Sequence, residues 1–358
     1  MKIIVTTNPG IEDLAVNELT WILGSSIMNI NYSTLTGRIY VELRDMSIDE
    51  LFEHLIKVRL LHRFGLLLYK GKIELSREGL MTIKNEISKL SSLKLALTPY
   101  LNFAIRAERA GEGHEFTSLD VARVAGEAVI NYTFKEYGSR AGVDLDYPNI
   151  IVHVDVINDN VYVYLGLTGD MSLHRRGYRV YDHPAALKPS LAYAMILLSG
   201  AKDGDVILDP MCGGGTIPIE AALTFETSEI VCMDINKGYI RGAIMNAEAA
   251  LVANRIKFIV GDARKLSSYV DEVDRIIVNP PYGIKLGDLR LVRRVYRDFL
   301  NEVPKVLSNN GKLVMITPEH EYVKKILREL KSLKIVHERI VSHGNLRPKI
   351  LVIEKARS

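Results

Sequence analysis

Two short motifs in this 358-residue chain carry residue types suited to one chemistry. The first is Asp209-Pro-Met-Cys-Gly-Gly-Gly-Thr216, and Asn279-Pro280-Pro281-Tyr282 follows about 70 residues later. Glycines between a strand and a helix permit positive φ and close backbone approach to a ligand. Two consecutive prolines stiffen a corner and leave the Pro280 carbonyl projecting as a fixed acceptor. The Asn279 side-chain oxygen is a second acceptor. Together they can bind both hydrogens of a planar exocyclic amine and draw its lone pair out of conjugation, while Tyr282 offers a ring face to the base. In this order and at this separation, the motifs read as methyl transfer from S-adenosylmethionine to a nucleobase amino nitrogen. The step is an in-line displacement assisted by positioning and electrostatics, so Asn279, Pro280 and Tyr282 are the expected catalytic residues.

Further candidates stand at neighbouring strand ends. Asp209 opens the glycine motif, and Cys212 to Gly215 form its turn. Asp234, 25 residues beyond Asp209, is placed to accept hydrogen bonds from both hydroxyls of a ribose. In Gly261-Asp262-Ala263, Asp262 can accept from an adenine amine and the Ala263 amide can donate to the ring. The glycine turn departs from GxGxxG and would also suit a nicotinamide enzyme, but that reading leaves Asn279–Tyr282 without a role. Arg290, Arg293, Arg294 and Arg297 recur on one helical face beyond the corner. They either grip phosphates or form a solvated face. Arg175-Arg176-Gly177-Tyr178-Arg179 suits RNA contact or a salt-bridge hub. His174, His183 and His343 are read as surface or core residues, because the reaction needs no strong base.

Positioning these residues requires an alternating chain. From about residue 186, strands at Val206–Pro210, Ile230–Asp234, Lys257–Asp262, Arg275–Asn279 and Lys312–Thr317 alternate with helices. Lys334–Ser342 and Lys349–Lys355 make a terminal hairpin. The pattern predicts a doubly wound, mostly parallel α/β sheet with an antiparallel edge insertion. Ligands in such sheets bind at the carboxyl ends of strands, where every motif above lies. Residues 1–72 read βαββαβ, the ferredoxin-like order, with Ser47-Ile-Asp-Glu50 as a capping box and the last strand beginning near Leu66. Residues 73–168 form a second α+β unit with a hairpin about Asn158-Asp159-Asn160. Residues 169–185 link it to the domain at 186–358.

Composition narrows the class. Hydrophobic residues make up 47%, ample for cores, and no uninterrupted apolar run of about 18 residues suggests a membrane span. The N-terminal residues run straight into a strand pattern without a cleavage site, so a cytoplasmic protein is expected. Cys212 and Cys232 have no metal-ligand spacing, so no metal is expected, and both are read as reduced thiols. Residues 1–190 hold 21 Lys and Arg against 23 Asp and Glu; the remainder holds 25 against 20. Nucleic-acid binding must therefore come from local patches.

At these residues the chain resembles the THUMP-domain RNA methyltransferases over essentially its full length. Pro9-Gly10-Ile11-Glu12 through Asn17-Glu18-Leu19 resembles their ferredoxin-like domain, and residues 73–168 their THUMP domain. The resemblance implies a Rossmann-like class I catalytic domain and docking on a tRNA acceptor stem. Ser172 to Arg179, then His183-Pro184-Ala185-Ala186-Leu187-Lys188, resembles the segment leading into that domain, of which His183–Leu187 would line the cofactor pocket. Asn at 279 looks like the archaeal and bacterial enzymes acting on the guanine N2 at tRNA position 6. Relatives acting at position 10 usually carry Asp there, and ribosomal RNA relatives share Asn in longer chains. N6-adenine methylation and a non-catalytic RNA-binding protein are the alternatives, and a monomer is expected.

Overall fold

The computed structural model describes residues 1–44, 46–283 and 289–356. They form two compact units, one of residues 1–7 and 15–173, the other of residues 8–14 and 174–358.

In the first unit the chain runs β1 (Lys2–Thr7), α1 (Glu12–Leu23), β2 (Ile27–Ser33), β3 (Arg38–Leu43), α2 (Ile48–Leu55) and β4 (Leu61–Lys72). It continues through α3 (Glu78–Lys89), β5 (Phe103–Ala110), α4 (Ser118–Tyr137), β6 (Ile150–Ile157) and β7 (Asn160–Gly166). The βαββαβ order is as the sequence predicts, and Ser47 and Glu50 form the capping box of α2. Thr117 and Asp120 form a second capping box, at the start of α4.

All seven strands share one sheet, in the order β2-β3-β1-β4-β7-β6-β5. β4 starts at Leu61, five residues before the apolar run at Leu66, because pairing with β1 recruits the polar His62 and Arg63. Its later residues, Gly65 to Lys72, pair with β7. Helices α3 and α4 cover one face, over Val152, Val154, Val156, Val161, Val163 and Leu165. The opposite face holds a buried polar cluster. Arg38 Nε donates to Asp155 Oδ2 at 2.7 Å, and the Tyr164 hydroxyl donates to the same oxygen at 3.2 Å. Four strand intervals separate β3 from β6, about 19 Å on a flat sheet. The sheet must therefore curl until these strands face each other.

The second unit contains α5 (Pro189–Ser199), β8 (Val206–Asp209), α6 (Thr216–Ala222), β9 (Glu229–Asp234), α7 (Lys237–Ala249) and β10 (Ile256–Val260). It ends with β11 (Val273–Val278), α8 (Leu289–Val306), β12 (Leu307–Thr317), α9 (His320–Leu330), β13 (Leu333–Ile340) and β14 (Lys349–Lys355). Proline at the first position and left-handed Gly200 just past the end fix the limits of α5. The sheet order is β10-β9-β8-β11-β12-β14-β13. β8 to β12 are parallel, whereas β14 inserts antiparallel between β12 and β13. The order reverses at β8, between β9 and β11. That is the switch point beside which ligands bind, and the motif residues end these strands.

Candidate active site

The glycine turn leaves β8 and enters α6. Gly213 and Gly215 have φ of +50° and +81°, conformations that residues with a Cβ rarely adopt. The bare Gly213 and Gly214 also admit His183, whose ring would lie 3.2 Å from a Cβ on Gly213. The ring meets Tyr239 edge-on at 4.4 Å. His183, the first residue of the 183–187 segment, is thus brought against the turn.

Cys212 and Cys232 are joined as a disulfide, with Cα atoms 5.6 Å apart. This corrects the expectation of reduced thiols. Spacing along the chain concealed that β8 and β9 are adjacent, with Asp209 opposite Cys232 in register.

The acidic residues differ in role. Asp209 is buried and accepts from the Met211 amide at 3.2 Å. Burial, aided by the charge of Asp234, raises its carboxyl well above the usual range. Asp234 accepts from the Gly213 amide at 2.9 Å and the Asn236 amide at 2.8 Å. Each carboxylate oxygen keeps a second lone pair, which suits ribose hydroxyls. β10 ends at Val260, two residues short of the expected Asp262, which precedes the buried Ala263 and whose carboxylate is gripped by Arg264 through Nε at 3.0 Å and Nη2 at 2.7 Å. That hydrogen-bonded guanidinium holds its carboxyl below the usual range. An adenine amine would have to share acceptors that Arg264 already uses.

At the end of β11 the Asn279 Nδ2 donates to the Ala185 carbonyl at 3.4 Å. Its Oδ1 is buried and has no partner among the described residues. One neighbouring carbonyl thus takes the donor end of the amide and leaves the acceptor end to present. The Tyr282 hydroxyl is also buried without a partner among the described residues, and burial pushes its pKa up. Behind the corner, the Tyr296 hydroxyl donates to the Pro281 carbonyl at 3.0 Å. Neither Ala185 as an orienting group nor Tyr296 was visible in the sequence.

The arginines divide. Arg176 pairs with buried Glu220 at 3.4 Å, and the Tyr178 hydroxyl donates to the same carboxylate at 2.8 Å. Arg179 donates to the Leu187 carbonyl and, at 3.1 Å, to the Thr216 hydroxyl. These two therefore brace the glycine-turn helix and the 183–187 segment, whereas Arg175 is exposed. On α8, Arg293 binds Glu319 at 2.9 Å and Arg297 binds Glu329 at 3.4 Å. Arg290 and Arg294 are exposed on the same face, and Arg294 has no ion pair among the described residues. His343 is mostly buried, and burial lowers its pKa. No group of three His, Cys, Asp or Glu among the described residues could hold a metal ion, and no helix there is long and apolar enough to cross a membrane.

The mostly parallel sheet that reverses at β8, with a glycine turn leading into a helix and Asp234 at the neighbouring strand end, is the frame of a class I, S-adenosylmethionine-dependent methyltransferase. Residues 176–349 match the RMKL-like methyltransferase domain, and residues 84–166 match the THUMP domain. The chain is 34% identical to the tRNA (guanine(6)-N2)-methyltransferase of Archaeoglobus fulgidus, over 98% of this chain and 92% of that one. It is also 34% identical to the enzyme of the same name from Methanocaldococcus jannaschii, over 99% and 100%. The crystal structure of TrmN from Thermus thermophilus superposes with a TM-score of 0.78 at 30% identity, covering 99% of each chain. The chain belongs to the tRNA (guanine(6)-N2)-methyltransferase family.

Proposed function

We propose that this protein methylates the exocyclic N2 of the guanosine at position 6 of the tRNA acceptor stem, giving N2-methylguanosine. The buried Asn279 Oδ1, without a partner among the described residues and aimed by the Ala185 carbonyl, is the observation that carries the reading. Bound S-adenosylmethionine supplies an electrophilic methyl on its sulfonium. Asp234, the close backbone of the Gly213–Gly215 turn and the 183–187 segment would hold that cofactor, with Asp209 bracing the turn through the Met211 amide. Asn279 Oδ1 and the Pro280 carbonyl accept the two amine hydrogens, and Tyr282 stacks on the base. With its lone pair so aimed, the amine nitrogen would take the methyl from the sulfonium and would then lose one of its two original protons to water.

Residues 1–72 serve as a ferredoxin-like domain, 73–168 as the THUMP RNA-binding domain, 169–185 as a linker and 186–358 as the catalytic domain. Arg175 and Arg294 are the arginines best placed for phosphate contact, because exposed guanidinium groups can displace counterions on binding, and Arg290 lies exposed on the same helix face as Arg294. Arg176, Arg179, Arg293 and Arg297 would first have to leave the partners described above.

Methyl transfer from labelled S-adenosylmethionine to an unmodified tRNA transcript, with the product nucleoside mapped by mass spectrometry, tests the proposal. N2-methylguanosine at position 6 supports it. Label at position 10, or on adenine, would overturn the assignment.

A further inference from the structure

We infer that Tyr296 and Thr317 are positioning residues for methyl transfer, their hydroxyls forming a one-way hydrogen-bond chain that fixes the Asn279–Tyr282 corner. The inference rests on the role proposed above for that corner.

The corner has few soft torsions. The rings of Pro280 and Pro281 lock their φ angles. Asn279 and Pro280 each precede a proline, which confines their ψ angles to the extended region. From the ψ of Asn279 to the ψ of Pro281, the ψ of Pro281 is the one backbone torsion that no proline ring restrains. It sets where the Pro281 carbonyl points, and that carbonyl accepts from the Tyr296 hydroxyl at 3.0 Å.

The direction of the chain follows from counting protons. A carbonyl can only accept, so the single hydroxyl proton of Tyr296 goes to Pro281. The 3.0 Å contact between the Tyr296 and Thr317 hydroxyls must then be donated by Thr317. Thr317 in turn accepts from the Glu319 amide at 2.9 Å. The chain therefore runs from the Glu319 N–H through Thr317 and Tyr296 to the Pro281 carbonyl. Serial donors polarise one another and strengthen each bond.

The anchors are rigid. Tyr296 and Thr317 are both fully buried, Tyr296 within the α8 stripe with Val292 and Phe299, and Thr317 as the last residue of β12. A phenylalanine would fill the ring's space equally well. Core packing thus explains the ring but not the hydroxyl, and aiming the corner explains both.

The test compares Y296F, T317V, T317S and the double variant Y296F/T317V in steady-state methylation of a tRNA transcript, beside wild type and N279A. Losing one buried hydrogen bond that orients the corner should lower kcat about tenfold. KM for S-adenosylmethionine and for tRNA should stay within about twofold. T317V should fall by a similar factor, T317S should recover the rate, and the double variant should be no slower than the worse single. A kcat for Y296F within about twofold of wild type overturns the inference, as do multiplicative losses in the double variant. Should Y296F fail to fold cooperatively, T317V against T317S makes the same comparison with the ring in place. An active N279A would instead remove the corner's proposed role. A dead N279A beside a normal Y296F would remove only the chain described here.

Discussion

Replacing Asn279 by Asp changes one atom and isolates the orienting contact. The Nδ2 that now donates to the Ala185 carbonyl at 3.4 Å would become an oxygen. Losing that hydrogen bond costs about 1 kcal/mol. A carboxylate beside a carbonyl oxygen carrying roughly half a negative charge adds about 2 kcal/mol of repulsion at an effective dielectric near 20. Against this, the carboxylate would accept the substrate N–H in a charge-assisted bond stronger by about 1 kcal/mol. The net loss is about 2 kcal/mol, or roughly a 30-fold fall in rate. Asn279→Ala, which leaves no acceptor at all, should fall further, by about 10²- to 10³-fold. Single-turnover methylation at saturating cofactor measures the chemical step without the cofactor's affinity. If N279D turns over as fast as wild type, the Ala185 carbonyl does not orient the amide and the reasoning fails.

Asp234→Ala strips the Gly213 and Asn236 amides of their charged acceptor, so the cofactor dissociation constant should rise at least about tenfold by titration calorimetry. An unchanged value would take Asp234 out of the ribose site. Arg294→Ala should lower the slope of log Kd for tRNA against log salt by about one, whereas Arg293→Ala, already bound to Glu319, should change it less. Equal slopes for both variants and wild type would make the α8 face a solvated one. His153, buried and close to the Arg63 and Arg38 charges, has a pKa pushed down to about 3. Its neutral form stabilises the folded state fully above the unfolded value of about 6.5, and that stability is lost as pH falls toward 3. His153→Phe keeps the stack on Tyr164, so its melting temperature should fall less steeply than that of wild type between about pH 6.5 and 4. Parallel curves would refute that shift.

Local chemistry was the legible part. Strand ends, the glycine turn and the Asn279 corner are each short runs whose residue types dictate their geometry, and the structure gathers Asp209, Asp234, Asp262 and Asn279 along one edge of one sheet. What escaped was whatever depends on a distant neighbour. The Ala185 carbonyl lies 94 residues from Asn279, and a backbone oxygen leaves no mark in composition. Arg264, only two residues from Asp262, could have been anticipated as a competitor for that carboxylate. The Cys212–Cys232 pairing needed the register of β8 against β9, and the Arg38–Asp155 contact joins positions 117 residues apart. β4 was read short because His62 and Arg63 interrupt its apolar run, although ladder pairing tolerates them.

The curl of the first sheet makes its amino-terminal strands and its THUMP strands one mechanical part. The matched THUMP segment begins at residue 84, yet the strand that pairs with β7 lies before it, at Leu61–Lys72. Severing the chain at that boundary would bare a ladder of backbone donors and acceptors on β7. It would also leave Asp155 a buried carboxylate without Arg38, a separation that typically costs 3–5 kcal/mol, about as much as many small domains have to lose. The minimal free-standing piece is therefore larger than the family boundary suggests. The same contact couples β3 to β6: an exchange of Arg38 alone would leave Asp155 a buried carboxylate without its ion pair, so the energetic effects of exchanging the two residues should not add.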